Sequence, residues 1–148
     1  MDQQQVDLAR NSCADLENVC VSRADLLTAE LGHASFDVVT ALASLHHVPF
    51  SAALDRTRDL LRPGGRLIVL GVWTDDVTAR DHVLNNAAGL ANKLFQRVWG
   101  PDVMNAPATS PETTLVEVRR LAGNLASQAT VHRRLLWRYG LVWQKPAG

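Results

Sequence analysis

Cysteine is scarce in this chain: Cys13 and Cys20 are the only two, and they form no CxxC pair. That excludes a disulfide framework and leaves the expectation of two reduced thiols in a cytoplasmic protein. Net charge is absent, because Lys+Arg and Asp+Glu balance at 15 each. No overall field therefore draws the chain toward nucleic acid or an anionic membrane. No apolar run nears the ~20 residues of a membrane-spanning helix. The opening MDQQQVDLAR lacks the apolar centre of a signal peptide. There is no repeat, no low-complexity tract and no dividing linker, so 148 residues are expected to form one domain around one core. Glycine is missing from the first part altogether, since all nine lie at Gly32 or later. A Gly-rich loop of the kind that lets backbone approach a nucleotide-like ligand is thus excluded before the first helix.

What is present reads as an α/β layered sheet. Gln3–Asn11 has the spacing of a helix, with Asp2 placed to cap it. Asn18–Arg23 alternates β-branched residues and predicts a short strand. Phe36–Leu42 is a nearly continuous apolar run, as in a parallel strand covered on both faces. Phe50–Arg62 predicts an amphipathic helix with Ala53, Leu54, Leu60 and Leu61 inward, stopped by Pro63-Gly64-Gly65. Arg66–Trp73 is the next buried strand. Val77–Val98 predicts a long helix, Gly100–Pro111 a loop, and Pro111-Glu112 the start of a further helix with Leu115, Val116, Val118, Leu121, Ala122 and Leu125 on its apolar face. Ala129–Leu136 and Arg138–Lys145 predict a closing β-hairpin. The order is α-β-β-α-β-α-α-β-β.

The wording FDVVTALASLHHV followed by LLRPGGRLIV resembles the class I S-adenosylmethionine-dependent methyltransferases, in particular the small-molecule enzymes of ubiquinone and menaquinone biosynthesis. The resemblance implies a Rossmann-like sheet with an antiparallel C-terminal hairpin. It also implies that the first strand and its Gly-rich loop are missing, so that 1–148 is the C-terminal two-thirds of a methyltransferase domain, N-terminally truncated. In that family's sheet two strands lie between the segments matching Asn18–Arg23 and Phe36–Leu42. Without them Val38 and Val39 are expected along an open apolar edge.

The resemblance places S-adenosylmethionine against Met1, which would pack on adenine. Asp25 would accept from the adenine amino group, with the Leu26 N–H toward the ring. Ala41, Leu42 and Ala43 would lie beside the methionine portion of the donor. Asp25 equally suits the cap of a turn, and the three strand-end residues equally suit ordinary packing. His46 is the candidate catalytic residue: by resemblance one of His46 and His47 lines the cavity, and a near-neutral imidazole can accept a proton from the methyl acceptor. Capping the following turn is the alternative. Adjacent residues tend to point apart, which makes the two histidines a poor joint metal site, and no metal site is expected. Trp73 ends a strand on the ligand edge and suits either an acceptor wall or the core. Arg133, Arg134 and Arg138 suit either a solvated strand face or recognition of an anionic acceptor or RNA.

Methyl transfer is an in-line displacement that rests on positioning, so no triad or metal cluster is required. The expected function is methyl transfer to a small-molecule acceptor from a donor site incomplete in this chain, with no nucleic-acid or membrane partner. A non-catalytic methyltransferase-like remnant acting as a binding module is the competing function. A nicotinamide-dependent Rossmann enzyme is a third.

Overall fold

The computed structural model describes residues 3–73, 83, 86, 87, 89, 90, 93, 97, 113–125, 129–135 and 137–147. They belong to two units, Met1–Leu31 and Gly32–Gly148.

In the first unit α1, Gln3–Ser12, forms where the spacing places it, with Val6 fully buried and Leu8 exposed. Asp7 ties its surface, accepting from Gln3 Nε2 at 2.9 Å. The capping role expected of Asp2 lies outside the described residues. The strand expected at Asn18–Arg23 is not formed: the segment is a turn followed by irregular chain. Val19 donates to the Leu16 carbonyl at 3.2 Å and is itself 42% exposed. Alternating β-branched residues stabilise a strand only through a neighbouring strand, and among the described residues none pairs with it.

The second unit is built on a four-stranded sheet. Strand β1, Phe36–Leu42, enters a 3-10 turn, Leu45–His47, and then helix α2, Phe50–Leu60. Strand β2, Leu61–Val72, follows at once. Helix α3, Leu115–Leu125, precedes the hairpin of β3, Thr130–Arg134, and β4, Arg138–Gln144. The spatial order is β1-β2-β4-β3, with β1 and β2 parallel and the other pairings antiparallel. This is the Rossmann-like α/β sheet with the expected C-terminal hairpin. Most of Val77–Val98, the loop Gly100–Pro111 and the expected helix start at Pro111-Glu112 lie outside the described residues.

The strands alternate between two different faces. Leu67, Val69, Trp73, Tyr139, Leu141 and Trp143 are buried on the inner face. α2 contributes Ala53, Leu54 and Leu60 to the core, and Leu61 at the start of β2 joins them, as their spacing indicates. α3 contributes Leu115, Val118 and Ala122, whereas Val116, expected on the same face, is 61% exposed. Its position one residue after Leu115 rotates it out of the 115–118–122 stripe. Thr114 caps α3 by accepting the Glu117 N–H at 3.2 Å, the first half of a capping box.

The outer face mixes exposed apolar residues with polar and basic ones. Val38, Leu42, Ile68 and Val142 lie there at 49%, 68%, 39% and 42% exposure. Among the described residues β1 is an edge strand, paired on one side only, by β2.

Pro63-Gly64-Gly65 acts differently from the expected stop. α2 ends at Leu60, because the residue before a proline avoids helical geometry, and the three residues lie within β2 as an irregularity between the pairs Phe36↔Leu61 and Val38↔Arg66. Gly64 adopts φ +78° and donates to the Lys145 carbonyl at 3.0 Å. Lys145 Nζ in turn donates to the carbonyls of Arg58 (2.8 Å) and Leu61 (2.7 Å) at the end of α2. The last residues described thus hold the α2–β2 corner.

Candidate active site

Ligands of parallel α/β sheets bind outside the carboxyl ends of the strands. Here those ends are Leu42 of β1 and Val72 of β2. Ala43 leaves β1 with φ +47°, an unusual conformation for a residue with a side chain, and its N–H donates to the Leu70 carbonyl at 2.7 Å. Such strain persists only where surrounding structure enforces it. The turn then closes through the His47 N–H on the Ser44 carbonyl at 3.2 Å, with Leu45 buried as its anchor.

His46 projects from this turn. Its ring stands 4.0 Å from that of His47, tilted by 39°. Its Nδ1 is buried without a hydrogen-bond partner. Burial, with the neighbouring His47 adding to it, holds its pKa below the ordinary 6.5. The imidazole is therefore neutral at pH 7 and carries an acceptor-capable nitrogen.

Behind the turn, Phe50 at the start of α2 meets Tyr139 edge-on, with ring centroids 6.4 Å apart at 82°. Tyr139 lies over Gly71, its register partner. A Cβ at Gly71 would come within 2.3 Å of the Tyr139 ring, so only glycine admits the ring there. Burial pushes the phenol pKa up to about 12. Phe50, Gly71 and Tyr139 join the strand ends although none is a candidate by sequence; position at the end of a predicted strand is the only signal that precedes the structure.

The structure brings together Ala41, Leu42, Ala43 and His46 at the end of β1. Ala41 is buried on the inner face, and Leu42 is 68% exposed on the outer one. Asp25 and Leu26 belong to the other unit. The Asp25 carboxylate accepts the Leu27 N–H at 2.8 Å, and its carbonyl accepts from Ala29 at 2.8 Å, so it organises a local turn. Met1 lies outside the described residues. Trp73 is 1% exposed and cannot serve as an acceptor wall. Its indole N–H donates to the Arg138 carbonyl at 3.2 Å, and the Arg133 guanidinium sits 4.9 Å from its ring centre.

Residues 1–67 match the family described as a methyltransferase domain. An uncharacterized methyltransferase of Mycobacterium tuberculosis is 34% identical over 125 residues, covering 83% of this chain and 62% of the relative. Over most of its own length the chain is thus similar to methyltransferases. It spans less than two-thirds of the length of that relative. Among solved structures, a SAM dependent methyltransferase from Aquifex aeolicus matches with a TM-score of 0.60 at 12% identity, over 97% of this chain and 64% of that one. The YcgJ protein from Bacillus subtilis matches with a TM-score of 0.58 at 19% identity, over 88% of this chain and 50% of that one. These likenesses carry the fold. Among the described residues no helix is long and apolar enough to cross a membrane.

Proposed function

We propose that these residues form the acceptor side of an S-adenosylmethionine-dependent methyltransferase acting on a small molecule, with the donor site incomplete within them. The observation that carries this reading is the turn after β1: a strained Ala43, a buried Leu45 and an orphaned His46 Nδ1 at the carboxyl edge of an otherwise ordinary sheet. An unpartnered buried nitrogen is costly unless a ligand satisfies it. The small side chains of Ala41 and Ala43 admit close passage of a ligand past the strand end. When bound, S-adenosylmethionine supplies a methyl group on a sulfonium. The chain's own part is to hold the acceptor in line and, through neutral His46, to take the proton that an O–H or N–H acceptor releases. Asp25 and Leu26 would hold adenine, and Met1 would pack against it. The open edge of β1 supports incompleteness, because an apolar edge strand of this kind is ordinarily paired or covered.

Calorimetry with S-adenosylhomocysteine tests the reading. This chain is expected to bind it more weakly than 100 μM, and a chimera carrying the residues by which the Mycobacterium tuberculosis relative exceeds it is expected to bind tightly. Low-micromolar binding by this chain alone removes the incomplete donor site. A chimera that ignores S-adenosylhomocysteine leaves only a binding module, and preference for NADH points to a nicotinamide enzyme.

A further inference from the structure

We propose that the outer face of the β3–β4 hairpin binds an apolar phosphate ester through Arg134 and Arg138, with His132 beside them. Arg134 and Arg138 are register partners, the last pair of the ladder, and both are exposed on the outer face. Cross-strand partners hold their Cβ atoms about 5 Å apart, and like charges so placed destabilise a hairpin. Among the described residues no ion pair offsets this one: those present involve Arg10, Arg58, Arg62 and Arg120.

The pair is also held in place. The Trp73 N–H donates to the Trp137 carbonyl at 3.0 Å and its indole N–H to the Arg138 carbonyl at 3.2 Å. Trp137 turns the chain at φ +52°. Arg133, on the opposite face, stacks on the Trp73 ring. Below the pair, His132 faces Gly140 in the ladder, and Arg134 Nε passes 3.7 Å from where a Gly140 Cβ would stand. Arg134 therefore lies along the strand over Gly140, toward His132.

Two guanidinium forks and an imidazole offer more donors than one carboxylate can use, and they suit the three oxygens of a phosphate monoester. The rest of the ligand is indicated by the neighbouring rows. Val72 pairs with Arg138, Leu70 with Gly140, and Ile68 with Val142, and all lie on this face. A basic corner bordered by aliphatic side chains fits a phosphate with a hydrocarbon body. It does not fit a nucleic-acid backbone, which needs a continuous basic track.

The test is a titration of the full chain with hexyl phosphate at constant ionic strength, followed by backbone amide NMR. No methyl donor is involved, so the result is independent of the methyl-transfer reading. Saturable shifts are expected at His132, Arg138 and Gly140. Arg134→Gln and Arg138→Gln should each weaken binding at least fivefold, and inorganic phosphate should bind the same residues more weakly. Without ligand, the double variant should melt no lower than the unaltered chain, because it removes a repulsion. Absent shifts, or affinity unchanged in the double variant, overturn the site. So does a clearly lower melting point in that variant, which would mean the arginines serve the hairpin. Binding to phosphatidic-acid vesicles without binding to hexyl phosphate would overturn the small-molecule assignment in favour of a lipid surface.

Discussion

Gly71→Ala probes the inner side of the candidate site directly. The added Cβ would lie 2.3 Å from Tyr139 Cζ and 2.5 Å from Cε1 and Oη. The ring must retreat by about 1.2–1.7 Å to reach ordinary contact, yet Phe50 stands against it and Tyr139 is 3% exposed. Overpacking of this kind costs about 1–3 kcal/mol, and a rigid ring against backbone belongs at the upper end. Tyr139 is the sole tyrosine of the chain, so phenolate absorbance reports on it alone. Its folded pKa, raised to about 12 by burial, exceeds the ordinary 10.0. The stabilisation is fully present below pH 10 and disappears as pH rises through 12, amounting to roughly 2–3 kcal/mol. Urea unfolding at steps between pH 9 and 12 should show that decline. Tyr139→Phe should flatten it. Gly71→Ala should displace the ring and bring the phenol back toward 10. A Gly71→Ala protein with unchanged stability and a phenol still titrating near 12 would refute the packing described here.

Lys145→Met removes two ammonium hydrogen bonds to the end of α2 and should lower stability by about 1–2 kcal/mol, read as a shift in urea midpoint; a shift below about 0.3 kcal/mol would mean that solvent replaces those bonds freely. Ala43→Gly relieves the strain of φ +47° and should stabilise the fold by up to about 1 kcal/mol, which thermal unfolding measures; a loss of stability would contradict the strain. His46 should titrate below 6.5 in an imidazole NMR titration. Its folded pKa lies under the unfolded value, so its contribution is present above pH 6.5 and is lost as pH falls through the folded pKa. His46→Gln should remove that acid-side slope, and a slope that survives the substitution assigns it to another group.

The parts of the fold that were legible in the sequence are those whose pattern is set by burial within the chain. The hairpin strand β4 is recognisable because its alternate apolar residues, Tyr139, Leu141 and Trp143, are buried, whereas in Phe36–Leu42 only Ala41 is buried and the apolar run forms a strand through its pairing with β2. Asn18–Arg23 carries an equally good strand pattern and fails because a strand is a property of two segments. Pro63-Gly64-Gly65 reads as a stop, but its geometry is fixed by Lys145, which lies far along the chain and cannot be inferred from local spacing. At the candidate site, His46 is an expectation of the resemblance. Its orphaned nitrogen is not, since that depends on the packing of Leu45 and the neighbouring ring. Trp73 illustrates the reverse case: a strand-end aromatic suits a ligand wall, and only the Arg138 carbonyl and the Arg133 guanidinium reveal it as a peg for the hairpin.

The tether from Lys145 back to Gly64, Arg58 and Leu61 joins positions 81, 87 and 84 residues apart. During synthesis, then, the corner after the first crossover stays unlatched until position 145 has left the ribosome. A nascent chain halted earlier would expose α2 with an unfastened tail, and proteolysis of stalled intermediates should cut near Pro63 until that final latch closes.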